Sequence, residues 1–208
     1  MTLSDARLYL VAPARLAAGP LDELVPELVA AGVDLIQLRE KNLEAGDLIE
    51  LGRPVAAACQ RVGVPFIVND RPDVAVALDA DGVHLGQDDL PIDVARRVFP
   101  QAFYGLSTHS AEQITGALLH KPDYIGVGPV NATPTKPGRP GTGMGLVAEA
   151  AELATVPWFI TGGMNETTIP QALAAGGRRF VVVRAIVEAE DPVAATQKIR
   201  GVLDEVQL

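Results

Sequence analysis

The sequence predicts a single (β/α)8 TIM barrel, α/β in class, and three observations carry that reading. Short β-branched or aromatic runs alternate with longer Ala/Leu/Glu-rich amphipathic stretches along all 208 residues. Eight such strand–helix pairs can be counted, one per 26 residues, with no leftover segment for a second domain. The short runs are nearly continuously apolar, as parallel strands buried on both faces require. A doubly wound open sheet shares this local grammar; the count of eight, and the central character of the first and last runs, favour the barrel.

The elements follow in order. Leu8–Ala12 is a strand, and Leu21–Ala31 a helix stopped by Gly32. Leu35–Arg39 is the second strand, and a helix runs from about Ala45 to Val62 before Gly63. Pro65–Asp70 precedes a short helix over Pro72–Leu78, and Gly82–Gly86 a helix over Pro91–Phe99. Phe103–Thr108 leads to a helix at Ala111–Leu119. Tyr124–Gly128 is followed by a long Pro/Gly loop and a helix at Leu146–Leu153. Trp158–Gly162 with a helix at Thr168–Ala175, and Arg179–Arg184 with a helix at Pro192–Val206, complete the chain. The organisation expected is one domain over 1–208 with a ligand-closing loop at about 130–143.

Composition bounds the function. The net charge of −9 and pI near 4.8 argue against a nucleic-acid or anionic-membrane binder, both of which need a basic footprint. A small anionic ligand held by a few local cations stays open. Apolar residues at 48% exclude a disordered chain. The single cysteine, Cys59, excludes a disulfide framework or multi-cysteine metal site within the chain. Pro13 and Arg15 interrupt the apolar N-terminal stretch, and no apolar run is long enough to span a bilayer, so a cytoplasmic protein is expected. A homo-oligomer is left open.

In this fold the chemistry sits at the C-terminal ends of the strands. The second strand ends in Gln37-Leu38-Arg39-Glu40-Lys41, where alternation sends Gln37, Arg39 and Lys41 to one side. Such a trio needs an anion or an ion pair with Glu40 or Asp70; Arg with Lys suits phosphate oxygens. Asn69-Asp70 and Gly86-Gln87-Asp88-Asp89 end the next two strands. Asp70 and Asp89 would face each other and suit Mg2+, the alternative for either being a helix cap. Ser107 suits a phosphate oxygen or a cap, and His84 and His109 read as packed, structural histidines. The loop after the sixth strand, with Thr133, Thr135 and Lys136, reads as a flap. Gly163 and the Val183-Arg184 segment belong to the loops that bind phosphate in this fold. Two anion sites emerge, one on strands two to four and one on strands seven and eight.

In this order and spacing, QLREK at 37–41, ND at 69–70, DGVHLGQDD at 81–89, GLSTH at 105–109, DYIGVGPV..TPTK at 123–136, GG at 162–163 and VVVRAI at 181–186 resemble the thiamine phosphate synthase family. The resemblance implies a transferase that joins hydroxymethylpyrimidine diphosphate to a (carboxy)hydroxyethylthiazole phosphate with loss of diphosphate. It implies a dissociative route through a pyrimidine methyl cation. By resemblance, Gln37, Arg39, Glu40, Lys41 and Asn69 hold the pyrimidine diphosphate, with Ser107 and Lys136 on the same diphosphate. Asp70 and Asp89 bind Mg2+. Thr133, Thr135, Gly163 and the backbone at Val183 and Arg184 hold the thiazole phosphate. Arg39, Lys41, Ser107 and Lys136 form the catalytic set. The partners implied are small phosphorylated substrates. Many members carry Val-Ser where this chain has Val183-Arg184. A thiazole tautomerase and an inactive phosphate-ligand sensor on the same barrel are the alternatives, disfavoured by the complete set of charged residues.

Overall fold

A computed structural model describes residues 3–133 and 140–206. The elements run β1 (Leu8–Ala12), β2 (Arg15–Leu16), β3 (Gly19–Pro20), α1 (Leu21–Ala30), β4 (Leu35–Leu38), α2 (Ala45–Val62), β5 (Phe66–Asn69), α3 (Pro72–Ala77), β6 (Gly82–Leu85) and α4 (Ile92–Val98). They continue β7 (Phe103–Thr108), α5 (Ala111–Leu119), β8 (Tyr124–Val127), α6 (Gly145–Leu153), β9 (Trp158–Ile160), α7 (Ile169–Ala174), β10 (Phe180–Val182), α8 (Arg184–Val187) and α9 (Pro192–Asp204). Eight strands close a parallel barrel in the order β1-β10-β9-β8-β7-β6-β5-β4. The closing pairs are Leu8 with Phe180 on one side of β1 and Tyr9 with Leu35 on the other.

Alternation along each strand divides the core in two. Outward residues such as Leu8, Leu10, Ile36, Val68 and Val182 pack under the helices. Inward residues form a separate cluster inside the barrel, built from Tyr9, Val11, Leu35, Ile67, Tyr124, Phe159 and Val181. Tyr9, Tyr124 and Phe159 meet edge-on in all three pairs, with centroids 5.4–5.9 Å apart. Three large rings fit because the neighbouring inward position is Gly105: a Cβ there would stand 2.1 Å from Cζ of Tyr124. This aromatic floor fills the lower barrel and leaves the upper inward positions Gln37, Asn69, His84 and Ser107 facing a cleft at the C-terminal strand ends.

Three short elements escape the sequence reading. The tiny β2–β3 hairpin has no apolar alternation to announce it. The eighth run was expected to extend to Arg184, whereas β10 stops at Val182 and α8 begins at Arg184. Val183, at φ −123° and ψ −95°, turns the chain out of the strand.

Candidate active site

The cleft above the floor has a volume of about 300 Å3. β4 delivers Gln37 and Arg39 to its wall, and the turn after β4 adds Lys41. Arg39 N–H donates to Ala12 O at 2.9 Å, which carries the strand ladder one residue further and aims this side chain inward. Asn69 and Asp70 enter from the end of β5, Asp88 and Asp89 from the loop after β6, and Ser107 from β7.

Asp70 stands at φ 63°, a left-handed conformation that a non-glycine residue adopts at a cost. Its N–H donates to His84 O at 2.8 Å, so the β5–β6 ladder holds it there. Burial first, and the neighbouring Asp89 second, push the Asp70 carboxyl up to about 6, against the attraction of Lys41. Lys41 Nζ lies 3.3 Å from Asp70 Oδ2, realising one of the ion pairs foreseen for it. Asp89 Oδ2 accepts from Gly86 N at 2.6 Å. Burial lowers the pKa of the Arg39 guanidinium while Asp70 and Asp89 raise it; it remains a cation, as arginine does.

Capping roles do not explain these residues. The residue preceding α3 is Arg71, and the one preceding α4 is Pro91; neither helix has a side-chain cap. α5 is capped by Ser110, whose Oγ accepts from Gln113 N at 3.3 Å, so Ser107 is free of that task. Ser107 Oγ instead lies 2.9 Å from His84 Nε2, and its carbonyl accepts from Gln87 Nε2 at 2.6 Å. Glu40 sits apart from the rest of the predicted set. It does not line the cleft, and its Oε1 accepts from Ala14 N at 2.9 Å, anchoring the turn after β1.

A second cavity of about 270 Å3 adjoins the first and shares Thr161, Val181 and Val183 with it. Thr133, Gly162, Gly163, Arg184, Ala185 and Glu188 line it, so three of the residues foreseen for a second anion meet here with Val183. Gly162 has φ 108°, and a Cβ on it would approach Val130 N to 2.5 Å, so this corner needs glycine. The base of the long loop is tied down: Thr142 N donates to Pro129 O and Gly143 N to Val130 O, both at 2.9 Å. Thr135 and Lys136 lie outside the described residues.

The sequence reading missed the two tyrosines of the floor and gave His84 and His109 only structural roles. Tyr9, His84, Gln87 and His109 all line the first cavity. Period-two alternation from Tyr9 and Tyr124 could have placed them inside the barrel, but not at each other's hydroxyls. Among the described residues, no group of three His, Cys, Asp or Glu gathers as a ready-made metal cage. None of the described helices is long and apolar enough to cross a membrane.

Fold and cleft define a (β/α)8-barrel enzyme with charged residues converging at the C-terminal mouth. The family described as thiamine monophosphate synthase matches residues 8–186. The thiamine-phosphate synthase of Mycolicibacterium vanbaalenii is 47% identical over 211 residues, covering 97% of this chain and 96% of its own. That of Acidothermus cellulolyticus is 48% identical over 197 residues, covering 93% of each chain. The solved thiamine phosphate pyrophosphorylase from Pyrococcus furiosus superposes with a TM-score of 0.88 at 32% identity, covering 98% of each chain. The chain belongs to the thiamine monophosphate synthase family. Its activity is that of a thiamine-phosphate synthase, a transferase of thiamine biosynthesis.

Proposed function

We propose that the first cavity takes hydroxymethylpyrimidine diphosphate and the second takes the (carboxy)hydroxyethylthiazole phosphate, the two rings meeting at the shared wall. The observation that carries this assignment is the convergence of Arg39, Lys41, Asp70, Asp89 and Ser107 on one cavity that opens into the next. Arg39 and Lys41 neutralise the diphosphate as it leaves, joined by Lys136, and Ser107 donates to one of its oxygens. Departure of the diphosphate before attack leaves a methyl cation stabilised by the 4-amino group of the pyrimidine. The protein therefore supplies no nucleophile; it aligns the thiazole nitrogen with that carbon and excludes water. Thr133, Thr135, Gly163 and the Val183–Arg184 turn hold the thiazole phosphate.

The donor set fits Mg2+. Burial, and then Asp89, push the Asp70 carboxyl up, so the pair of carboxylates is short of positive charge between them. Mg2+ takes one or two carboxylates and fills its remaining positions with water and substrate phosphate. Asp70 and Asp89 would hold it, and bound Mg2+ would offset charge on the diphosphate. A cytoplasmic enzyme of small phosphorylated substrates is the setting this reading fits. The test supplies both substrates with Mg2+ and follows diphosphate release and thiamine phosphate formation, with and without excess chelator. Full turnover in chelator would exclude the two-aspartate site, and release of diphosphate without thiamine phosphate would exclude the placement of the thiazole.

A further inference from the structure

Beneath the first cavity lies an unbroken chain of side-chain hydrogen bonds that crosses the barrel. Gln37 Nε2 donates to the Tyr9 hydroxyl. The Tyr9 and Tyr124 hydroxyls are 2.9 Å apart, and the Tyr124 hydroxyl is 3.0 Å from His84 Nδ1. His84 Nε2 is 2.9 Å from Ser107 Oγ. Both ends, Gln37 and Ser107, open into the cavity. Both tyrosines are fully buried and their hydroxyl pKa values are raised by that burial, so each keeps one proton.

One proton per phenol and one per neutral imidazole leave the chain two self-consistent states. In the first, Gln37 donates to Tyr9, Tyr9 to Tyr124, Tyr124 to His84 Nδ1, and His84 Nε2–H to Ser107. The serine O–H is then free to donate into the cavity, and Gln37 turns its carbonyl Oε1 to the ligand. In the second, every bond is reversed: Ser107 spends its proton on His84 and shows only lone pairs to the cavity, while Gln37 shows its NH2. A diphosphate oxygen can only accept, so its presence at Ser107 selects the first state. The polarity at Gln37, on the opposite wall, is then set as well.

The geometry points to Tyr9, Tyr124 and His84 as positioning residues that couple the hydrogen-bonding polarity of Gln37 to that of Ser107, so that the cavity selects a ligand accepting at Ser107 and donating at Gln37. The coupling rests on the placement of the pyrimidine diphosphate proposed above; a 4-aminopyrimidine carries such a donor, and its 4-oxo counterpart presents an acceptor instead. A mismatched ring would force either an acceptor against Oε1 or a serine without a proton against the diphosphate.

Two measurements test it. The first is 15N NMR of histidine-labelled protein at neutral pH with pyrimidine diphosphate and Mg2+, the His84 signals being assigned through His84→Gln. The expected pattern is an unprotonated Nδ1 and a protonated Nε2; a protonated Nδ1 or an imidazolium would overturn the coupling. The second is the calorimetric affinity for the 4-amino and 4-oxo diphosphates in wild type and Tyr9→Phe, which keeps the ring and deletes the relay. Discrimination of about 100-fold in the wild type should narrow by about tenfold in the variant; undiminished discrimination would overturn the proposal. Gln37→Ala and Ser107→Ala separate the two layers. If both bind the 4-amino diphosphate as wild type does, the placement of the substrate fails and the coupling with it. If both lose affinity while Tyr9→Phe keeps full discrimination, only the coupling fails.

Discussion

Replacing Asp70 by asparagine should stabilise the metal-free protein above neutral pH while removing activity. The Asp70 carboxyl is raised from an ordinary 3.8 to about 6, chiefly by burial and then by Asp89. A raised carboxyl pKa means that the folded state binds the proton more tightly than the unfolded chain. The destabilisation is absent below pH 3.8, grows between 3.8 and about 6, and is complete above that. The full displacement corresponds to about 3 kcal/mol. The side chain is 22% exposed, and solvent and side-chain relaxation reduce this to about 1–2 kcal/mol. Loss of the Lys41 ion pair subtracts little, because Lys41 is 52% exposed. Asparagine also tolerates the left-handed backbone at φ 63°. The expected rise in Tm is about 3–6 °C at pH 7.5 in chelator, shrinking to about a third of that at pH 4.5. Thermal unfolding followed by circular dichroism reads both. A variant less stable than wild type at pH 7.5, or an equal gain at both pH values, would refute the account of Asp70 as a carboxylate destabilised by burial and by Asp89.

Other consequences can be checked the same way. Arg39→Ala should lower kcat/KM for the pyrimidine diphosphate by about 100- to 1,000-fold, since it strips a half-buried cation from developing negative charge; steady-state kinetics in that substrate decides. Arg184→Ser should raise KM for the thiazole phosphate severalfold and leave kcat in place, because Arg184 lines only the second cavity; an unchanged KM would remove it from phosphate binding. Gly162→Ala should cost about 2 kcal/mol or more, because a Cβ would sit 2.5 Å from Val130 N at a backbone angle that disfavours alanine. Denaturant midpoints read that loss.

Strand positions were legible because buried parallel strands leave a nearly continuous apolar trace. Leu8–Ala12 and Phe103–Thr108 match their elements to the residue, as does the helix over Ala45–Val62 with its left-handed Gly63 stop. The hairpin at Arg15–Pro20 and the four-residue α8 left no trace, since two-residue strands and a four-residue helix span barely one period of their patterns, too little for a repeat to show. Of the site, Gln37, Arg39 and Lys41 were readable as a trio because alternation alone dictates that they share a side. Glu40 was not, for the same motif that resembles the family also contains a residue whose carboxylate anchors Ala14 N.

The sequence by itself determined the barrel, the rim on which the chemistry sits, and the identity of the charged groups there, because period and strand order are local or nearly local properties. Only the tertiary structure decided which groups touch. Asp70 and Asp89 are 19 positions apart in the chain, and their mutual effect on protonation exists only because two strand ends place them together. The Gln37–Tyr9–Tyr124–His84–Ser107 chain draws one residue from each of five strands, so no window of sequence contains it. Its polarity is a property of closed geometry: each hydroxyl has one proton to give, and the fold decides to whom.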